Sequence, residues 1–533
     1  MAEENRPVLE NGTQFGTAQT HPPQFNVDVA PGTRHYTLLN TNEPPEESEL
    51  VFIQSVISEA NARLTSLNYE ISKLQPTLKW SEEERASVLS YRTRNEAILS
   101  PLRRIPPEVL ADIFWWTLPS LNDEWARGTF DVAHSPWVLT WISARWRAVS
   151  VSTPSLWSQV AIDYNRDPSS EYSMSRIAVQ IQRAQNLKIH FYGATAVDSV
   201  PQIQMFELLS EHSSCWEELS LRLTSSLVPL LPALHGRIQS LKRLWVEWDG
   251  PESQTAVQSI DCFDSAYSLL DFGGYNQYRF IPFALPTHQL TRYYLDGPWE
   301  EHKRNLKLSL GLVEARIVTR FNDELWPHTN EIIDLPYLRR LYVSNVKILD
   351  YLTAPVLEGL TFGVKQDIPS DIFLESFLDR SACFLRRLCV RGFTDATTAT
   401  KILQRLSPSL TELIITALVD HTEAVNRIMS ALTVSQVSET TVVAPQLRCL
   451  SFGCEDSRSM DYSVYLEMLK SRWRAKNRAL TTAALVTEGP GPDPVTLHDI
   501  DALRLEGLDI LVAEGQEAQV EMNRWFYGPT WNF

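Results

Sequence analysis

The sequence contains few cysteines. Six occur among 533 residues, between Cys215 and Cys454, and no two of them have C-x-x-C spacing. Most zinc sites need such spacing, so the sequence predicts no bound metal and no other cofactor. So sparse a set is typical of free thiols in a reducing compartment and not of a disulfide framework.

Positive charge and long apolar runs are also scarce. Lysine and arginine number 48 against 65 acidic residues, which gives a net charge of −17. A chain without excess cations is a poor partner for nucleic acid or for an anionic membrane surface. No run of 18 apolar residues exists, and the first residues lack the pattern of a secretory signal. We therefore expect no nucleic-acid or membrane partner and a cytoplasmic or nuclear location.

The common motifs of catalytic sites are missing as well. The chain has no G-x-S-x-G, H-E-x-x-H, G-x-x-x-x-G-K-[ST] or G-x-G-x-x-G sequence. Asp271 to Gly273 copies the Asp-Phe-Gly triplet of protein kinases, but no glycine-rich loop or His-Arg-Asp accompanies it. These absences favour a protein without catalytic activity, whose function depends on its binding surfaces.

The N-terminal part of the chain predicts a tail followed by helices. Residues 1–47 are polar, rich in proline and glycine, and without periodicity, which predicts disorder. Residues 48–100 predict coiled-coil-like helices, because apolar residues alternate at spacings of four and three. The residues of this seam are Ile53, Ile57, Ala60, Leu64, Leu67, Ile71, Leu74 and Leu78.

Two interpretations of this seam are open. Pro76 predicts an end or a kink of the first helix. Ser81 and Glu84 have the spacing of a capping box, which predicts a second helix to about Ser100. The two helices then form an intramolecular hairpin, or the seam at 53–78 pairs with a second copy of the chain as a homodimer.

Residues 101–160 predict a small helical block dense in tryptophan, with seven of the chain's 16. Pro106 and Pro107 suit a helix start, and Glu108 is favoured in its first turn. Val109, Leu110, Ile113 and Phe114 then form one broad apolar face, and Trp146 lies in a second helix at about 136–149. Helices this short cannot enclose a core, so we expect their apolar surface to bind another protein.

The block resembles an F-box, of the kind found in F-box proteins of mushroom-type fungi. Ile105, Pro106 and Glu108 match the family's Leu-Pro-x-Glu, and Leu110, Ile113 and Phe114 match its Ile-Leu-x-x-Ile-Phe. Trp146 and Arg147 match the end of Cys-x-x-Trp-Arg, with Ser143 in place of the cysteine, and the stretch 117–135 is longer than in a minimal box. The resemblance implies docking to a Skp-type adaptor and, through it, to a cullin. The residues implied in adaptor binding are Ile105, Pro106, Glu108, Val109, Leu110, Ile113, Phe114 and Trp146.

From about 175 to 510 one motif recurs, Leu-x-x-Leu-x-aliphatic. Clear copies begin at Leu241, Leu290, Leu338, Leu357, Leu385, Leu410 and Leu447, and weaker ones at Trp216, Leu269 and Leu312. Most spacings fall in the period of about 20–29 residues that is typical of leucine-rich repeats. This predicts a degenerate α/β leucine-rich-repeat-like solenoid, with a single α/β sheet domain as the alternative. Residues 511–533 are interpreted as a C-terminal tail.

Alternate side chains of each strand are expected on the concave face of such a solenoid. Aromatic residues and arginines there are typical hot-spot types, so they are the candidate contacts to a client protein. These candidates are Trp245, Tyr294, Arg340, Tyr342, Arg387 and Arg391.

The sequence thus predicts an α+β multi-domain protein: helical hairpin or coiled coil, small all-α F-box, and α/β solenoid. Its resemblance implies the substrate receptor of a Skp–cullin–F-box ubiquitin ligase, which binds the adaptor with its box and an unknown client with its repeats. The alternative is a non-ligase leucine-rich-repeat scaffold dimerised through its N-terminal heptads.

Overall fold

The computed structural model divides the chain into two compact units, Met1–Pro106 and Pro107–Phe533. It describes residues 28–40, 45–98, 101–119, 133–165, 172–321, 326, 331–364, 370–392, 396–417, 422–434, 442–454, 460–476, 478–489 and 491–527. None of the described helices combines the length and apolar character needed to cross a bilayer. Most of the predicted disordered tail, residues 1–27 and 41–44, lies outside the described residues.

The first unit is dominated by one long helix. It contains α1 (Arg34–Asn40), α2 (Glu47–Ile98) and a 3-10 turn, Pro101–Arg103. Arg34 of α1 pairs with Glu49 of α2 at 3.1 Å, so the prediction of disorder is wrong for this short stretch.

The predicted hairpin is also wrong, because α2 runs unbroken for 52 residues through Pro76 and Ser81. A proline inside a helix costs about 3 kcal/mol, which is not decisive in a helix with many other hydrogen bonds. The capping-box residues simply continue the helix.

The second unit combines helices with parallel strands. Its helices are α3 (Pro107–Trp115), α4 (Leu139–Ile142), α5 (Ala144–Val151), α6 (Met174–Arg183), α7 (Ser199–Glu211), α8 (Trp299–Leu308), α9 (Ser370–Ser381), α10 (Ala396–Leu406), α11 (Thr422–Leu432), α12 (Tyr462–Trp473), α13 (Pro494–Leu505) and α14 (Gly515–Tyr527). Its strands are β1 (Gln159–Asp163), β2 (Leu187–Tyr192), β3 (Trp216–Leu223), β4 (Arg243–Trp248), β5 (Asp271–Gly274), β6 (Arg292–Asp296), β7 (Glu314–Val318), β8 (Ile333–Asp334), β9 (Arg340–Val343), β10 (Leu352–Thr353), β11 (Gly359–Gly363), β12 (Arg387–Arg391), β13 (Glu412–Ala417), β14 (Cys449–Cys454), β15 (Thr482–Thr487) and β16 (Asp509–Glu514). Short 3-10 segments lie between them at Pro154–Trp157, Ser213–Cys215, Val228–Leu234, Pro251–Gln254, Cys262–Ser265, Thr287–Gln289 and Val346–Tyr351.

The strands build one parallel sheet in chain order. Among the described residues, fourteen strands follow one another from β1 to β16, and the two short strands β8 and β10 pair separately. The prediction of mixed helix and sheet is confirmed, and the sheet of the C-terminal region is parallel. Each of the ten motif copies supplies one strand: β3 to β7, β9, and β11 to β14.

The motif coincides with strands because all its apolar positions are buried. In β4 and the turn before it, Leu241, Leu244 and Val246 are fully covered. The equivalent residues of neighbouring strands extend the same cluster along the sheet. Each fully buried side chain of this kind contributes roughly 1.5–3 kcal/mol relative to exposure. We call this side of the sheet the core face.

The helical block is joined to the sheet region by tryptophans. Trp157 is fully buried and its indole N–H donates to the carbonyl of Ser150 at 2.8 Å. The guanidinium of Arg183, at the end of α6, lies 4.3 Å from the Trp157 ring centroid. The ring of Trp137 meets Trp157 edge-on at 5.2 Å, and its N–H donates to Gln180 of α6. The block is therefore anchored on the first helix beside the sheet.

The C-terminal residues are not a tail. Residues 509–514 form β16, and α14 packs against the side of the sheet opposite the core face. Ala518, Met522 and Trp525 of α14 are buried there. The covered strand residues are Cys389, Ile414, Ala484, Val486 and Ala513. The predicted tail at 511–533 is thus corrected for the described residues up to Tyr527.

The second unit contains a fully buried histidine. His302 of α8 is fully buried, accepts from the Tyr293 hydroxyl at one ring nitrogen and donates to the Val318 carbonyl from the other, both at 3.0 Å. This assignment follows from Val318 being an acceptor only. Burial lowers the pKa of His302 from 6.5 to about 4.

We predict that protonation of His302 destabilises the fold as the pH falls. Between pH 6.5 and 4 the unfolded chain binds more protons at this residue, so the free energy of unfolding falls by about 3 kcal/mol. His302→Gln should be less stable at pH 7 but lose less stability over this range, measured by urea unfolding. Exposed His288→Gln should keep the full pH dependence, and a His302→Gln variant that also keeps it would contradict the prediction.

Candidate binding surfaces

The first candidate surface is a stripe on α3. Val109, Ile113 and Trp116 follow at spacings of four and three, and are 47%, 43% and 85% exposed. They therefore lie on one side of the helix and its last turn. We call these three residues the α3 stripe.

The other edge of the predicted apolar face points inward. Leu110 is 1% exposed and Phe114 is 0% exposed. Both side chains are covered within the chain itself, and their contact with an adaptor stays a prediction. Their burial in turn fixes which side of α3 faces outward.

Helix α5 supports α3 from the interior. Ser143 caps α5 by accepting from the backbone N–H of Trp146 at 3.1 Å. The Trp146 ring lies 4.8 Å from that of Phe114, and Trp146 is only half-buried. Ser143 thus has a local role: it starts the helix that carries the packing tryptophan.

The remaining predicted adaptor residues have mixed positions. Glu108 is exposed in the first turn of α3. Ile105 is half-buried and Pro106 exposed, and both belong to the first unit.

The tryptophans of the block divide between its interior and its surface. Trp115, Trp116 and Trp141 are exposed, Trp137 and Trp146 half-buried, and Trp157 buried, while Trp125 lies outside the described residues. Ile142 and Val151 are exposed too, at 54% and 40%. Exposed side chains of this size indicate a protein interface when they are grouped, as they are on the α3 stripe.

The second candidate surface is the side of the sheet that carries Arg243, Trp245 and Glu247 of β4. These three are partly exposed, whereas the alternating residues of the strand are buried on the core face. We call this side the front face. Strand register aligns its residues into rows across the sheet.

The first row of the front face alternates in charge. Its members from β2 to β9 are Lys188, Glu218, Arg243, Asp271, Arg292, Glu314 and Arg340. Glu218 pairs with both Lys188, at 2.7 Å, and Arg243. Glu314 likewise pairs with Arg292 at 3.8 Å and with Arg340 at 3.3 Å. Each such acid joins its two neighbouring strands.

The acids of this row lie deeper than the bases. The side chain of Glu314 is 7% exposed, whereas that of Arg340 is 52% exposed. Burial lowers the pKa of Lys188 and that of Arg243, the largest cause in each case being desolvation. A partner on the front face therefore meets the outer ends of guanidinium groups more than it meets carboxylates.

The second row holds a stack of rings and one guanidinium. Trp245 and Tyr294 are parallel within 10°, with centroids 5.1 Å apart. The guanidinium of Arg316 lies between Tyr294 and Tyr342, at 4.7 Å and 4.6 Å from their ring centroids. Aromatic pairs contribute roughly 0.5–1.5 kcal/mol, and a desolvated cation–π contact about 2 kcal/mol.

Gly273 leaves the space in which the rings of Trp245 and Tyr294 stack. It lies on β5 between Trp245 and Tyr294, and a Cβ there would stand 2.2 Å from the Trp245 ring. The indole therefore lies flat over a strand position that has no side chain. Any other residue at 273 would lift the ring off Tyr294.

The predicted client contacts fall on the front face with unequal exposure. Arg340 and Arg391 are exposed, while Trp245, Tyr342 and Arg387 are half-buried. Tyr294 is only 3% exposed beneath its neighbours, and its contact with a client stays a prediction.

Arg387 and Arg391 lie beside α14. Arg387 donates to the carbonyl of Trp525 at 3.2 Å, and Arg391 lies 6.0 Å from the Phe526 ring. This part of the front face is therefore occupied by the chain's own helix.

Sequence reasoning missed Arg316 and Gly273. Both stand between the second and third apolar positions of weak motif copies, where Trp245, Tyr294 and Tyr342 stand in clear ones. Their position within the motif was the sequence signal that could have identified them.

A buried arginine lines a small cavity near the C-terminal strands. The cavity measures about 230 Å³ and Arg472 is one of its walls. The guanidinium donates to the carbonyls of Leu432, Val443 and Ala444 at 2.6–3.1 Å. Burial lowers the pKa of Arg472 to about 10. Its donors connect α12 to the end of α11 and to residues 443 and 444, which is a structural role.

No cluster of three or more His, Cys, Asp or Glu residues that could hold a metal ion occurs within the described ranges. No disulfide joins the cysteines of these ranges, and Cys262, Cys389 and Cys454 are buried. Burial raises the pKa of the Cys262 and Cys389 thiols to about 12, which makes both poor nucleophiles at neutral pH.

No protein-family model matches the chain, and no curated protein has significant sequence similarity to it. The resemblance of residues 101–160 to an F-box therefore depends on the matching residues alone.

Proposed function

We propose that the chain is a non-catalytic substrate receptor of a Skp–cullin–F-box type ubiquitin ligase, as its resemblance to fungal F-box proteins implies. The block at 101–160 docks on a Skp-type adaptor, and a degenerate leucine-rich-repeat solenoid holds a client protein. The ligase then acts on the client by proximity, since binding raises the client's local concentration near the loaded ubiquitin carrier. Such a receptor works in the cytoplasm or the nucleus, in ubiquitin-dependent degradation.

The observation that carries this proposal is the exposed α3 stripe. Its three side chains stay open although Leu110 and Phe114 of the same helix are buried and Phe114 packs against Trp146. An apolar stripe on a well-anchored helix is what a helical partner needs for docking. Trp116, the most exposed of the three, is of the type that dominates interface energetics.

The open part of the front face supports client binding. The first row presents partly exposed arginines, and Trp245 and Tyr342 present the edges of the stack. Rings and guanidiniums already held by neighbours lose little entropy when a partner binds. An acidic or phosphorylated segment of the client is the favoured ligand of such arginines.

The test is adaptor binding by full-length protein. Val109→Asp with Ile113→Asp should weaken binding to a purified Skp-type adaptor by at least about 100-fold, because each places a charge in an apolar interface. Calorimetry measures the affinity, and circular dichroism checks the fold. The matched control is Val495→Asp with Leu505→Asp, two residues of α13 that are 75% and 91% exposed.

The control variant should bind as the unaltered protein does. Equal affinity of the α3 variant would refute the docking surface, and no binding by the unaltered chain would refute the receptor function. The second candidate, a non-ligase scaffold dimerised through its heptads, is favoured in that case by the exposed seam of α2.

A further inference from the structure

The heptad seam of α2 is exposed along its whole length. Six of its apolar residues have large exposed fractions: Ile57 54%, Leu64 56%, Leu67 37%, Ile71 51%, Leu74 68% and Leu78 60%. Ile53 and Ala60 are only partly covered. Single apolar residues on a surface need no explanation, but eight in strict register along one helix do.

The register of the heptads is unambiguous. The spacings place Ile57, Leu64, Ile71 and Leu78 at position a, and Ile53, Ala60, Leu67 and Leu74 at position d. Pro76 then falls at position f, on the side of the helix away from the seam. Its ring and missing N–H therefore leave a facing helix undisturbed.

The residues at heptad positions e and g indicate whether two paired helices run parallel or antiparallel. Position e holds only uncharged amides: Gln54, Asn61, Asn68 and Gln75. Position g holds Arg63 in one heptad and Glu70 in the next. Neither charge has an ion-pair partner among the residues that the structure describes.

The two orientations of a pair differ at these charges. In a parallel, in-register pair, g faces e of the next heptad, so Arg63 meets Asn68 and Glu70 meets Gln75 of the second copy. In an antiparallel pair centred between Leu64 and Leu67, g faces g, so Arg63 of each copy meets Glu70 of the other. Only in the antiparallel pair do both charges face an opposite charge, and the two-fold symmetry forms this ion pair twice.

Ala60, the small residue of the seam, also favours the antiparallel orientation. In a parallel pair Ala60 faces Ala60, which leaves a gap in the core layer. In the antiparallel pair a faces d, and Ala60 meets the larger Ile71. The remaining layers then match as Ile53 with Leu78, Ile57 with Leu74, and Leu64 with Leu67.

We propose that α2 pairs with α2 of a second copy of this chain as an antiparallel two-stranded coiled coil, with Arg63 of each copy facing Glu70 of the other. The pairing holds for either of the two candidate functions, because it involves neither the α3 stripe nor the front face. A two-fold symmetric pair places two copies of each surface in one assembly.

Sedimentation velocity of the full-length protein tests the pairing. The unaltered chain should sediment at twice its mass of 60.8 kDa. Leu64→Lys with Leu67→Lys, at the central layers, should sediment at the mass of one chain. The matched control adds the same charges on the outer side of the helix, as Thr65→Lys with Tyr69→Lys, and should remain a dimer. A monomeric unaltered chain, or a central variant that stays dimeric, overturns the proposal.

Charge reversal tests the orientation. Arg63→Glu alone and Glu70→Arg alone should each weaken dimerisation about tenfold, because two attractive pairs become repulsive. The double variant should restore the original dissociation constant. In a parallel pair the single changes leave the constant unaltered, which would overturn the antiparallel assignment.

A cysteine variant provides an independent readout of orientation. On mild oxidation, Leu74→Cys should give no more disulfide-linked dimer than the unaltered chain does. When the helices run antiparallel, residue 74 of one copy lies far from residue 74 of the other. Rapid cross-linking of this variant would instead show a parallel pair.

Discussion

Trp157→Ala should lower the free energy of unfolding of the second unit by about 3–5 kcal/mol, the range for removing a fully buried tryptophan. The residue is 0% exposed and contacts three elements at once. It lies in the 3-10 turn after α5, bonds to Ser150 of α5, and stacks under Arg183 of α6. Alanine would leave a cavity at that junction and an Arg183 whose guanidinium has lost its closest ring.

Urea unfolding followed by circular dichroism measures this effect. The matched control is Trp116→Ala, since Trp116 is 85% exposed and its loss should change stability by less than about 0.5 kcal/mol. Equal stability of the two variants would show that Trp157 does not join the block to the sheet region. The same pair of variants separates stability from docking, because only Trp116 belongs to the α3 stripe.

Most of the sheet could be predicted from the sequence because burial dictates its motif. Leu241, Leu244 and Val246 must all be apolar, whatever else the strand does. Two later strands were missed. In β15 the second apolar position is Ala483, and before β16 Leu505, Leu508 and Ile510 keep the spacing of the motif although Leu505 is 91% exposed.

The long helix shows a different limit of sequence reasoning. Pro76 and the Ser81 capping signal are local preferences of a few kcal/mol at most, and they compete with a run of helix-forming residues on both sides. The apolar seam is regular through Pro76, and this regularity was the better guide to one continuous helix. Periodicity over many turns outweighs a single unfavourable residue.

Only part of each candidate binding surface could be predicted from the sequence. The sequence placed Val109, Leu110, Ile113 and Phe114 on one apolar face, but it could not say which edge the rest of the block would cover. That depends on where α5 and its Trp146 pack, which is a tertiary contact. Likewise Tyr294 has a hot-spot residue type, yet Trp245 and Arg316 cover it.

The C-terminal helix sets the limits of the front face. Its buried residues Ala518, Met522 and Trp525 have the four-then-three spacing of an amphipathic helix, so the sequence held a signal for α14. They cover an apolar part of the sheet, whereas the strands before β11 carry charges and the ring stack. Met522 lies over Gly453 of β14, where a Cβ would stand 2.7 Å from its sulfur. The fit is therefore close, and the uncovered part of the front face begins beyond α14.

Met522→Ala with Trp525→Ala should detach this helix and lower the free energy of unfolding by about 5 kcal/mol. Each substitution removes a buried side chain of the class that costs about 2–5 kcal/mol, and the two sites lie one turn apart, so their effects do not simply add. Urea unfolding gives the stability change.

Loss of α14 should also uncover Cys389, Ile414 and Val486, which a rise in the fluorescence of a hydrophobic dye reports. Gln519→Ala with Asn523→Ala, on the exposed side of the same helix, is the control and should change neither quantity. If the Met522 and Trp525 variant is as stable as the control and binds no more dye, α14 does not cover the sheet. If it unfolds at lower urea concentration and binds more dye, α14 is the element that covers these strands beside Arg387 and Arg391.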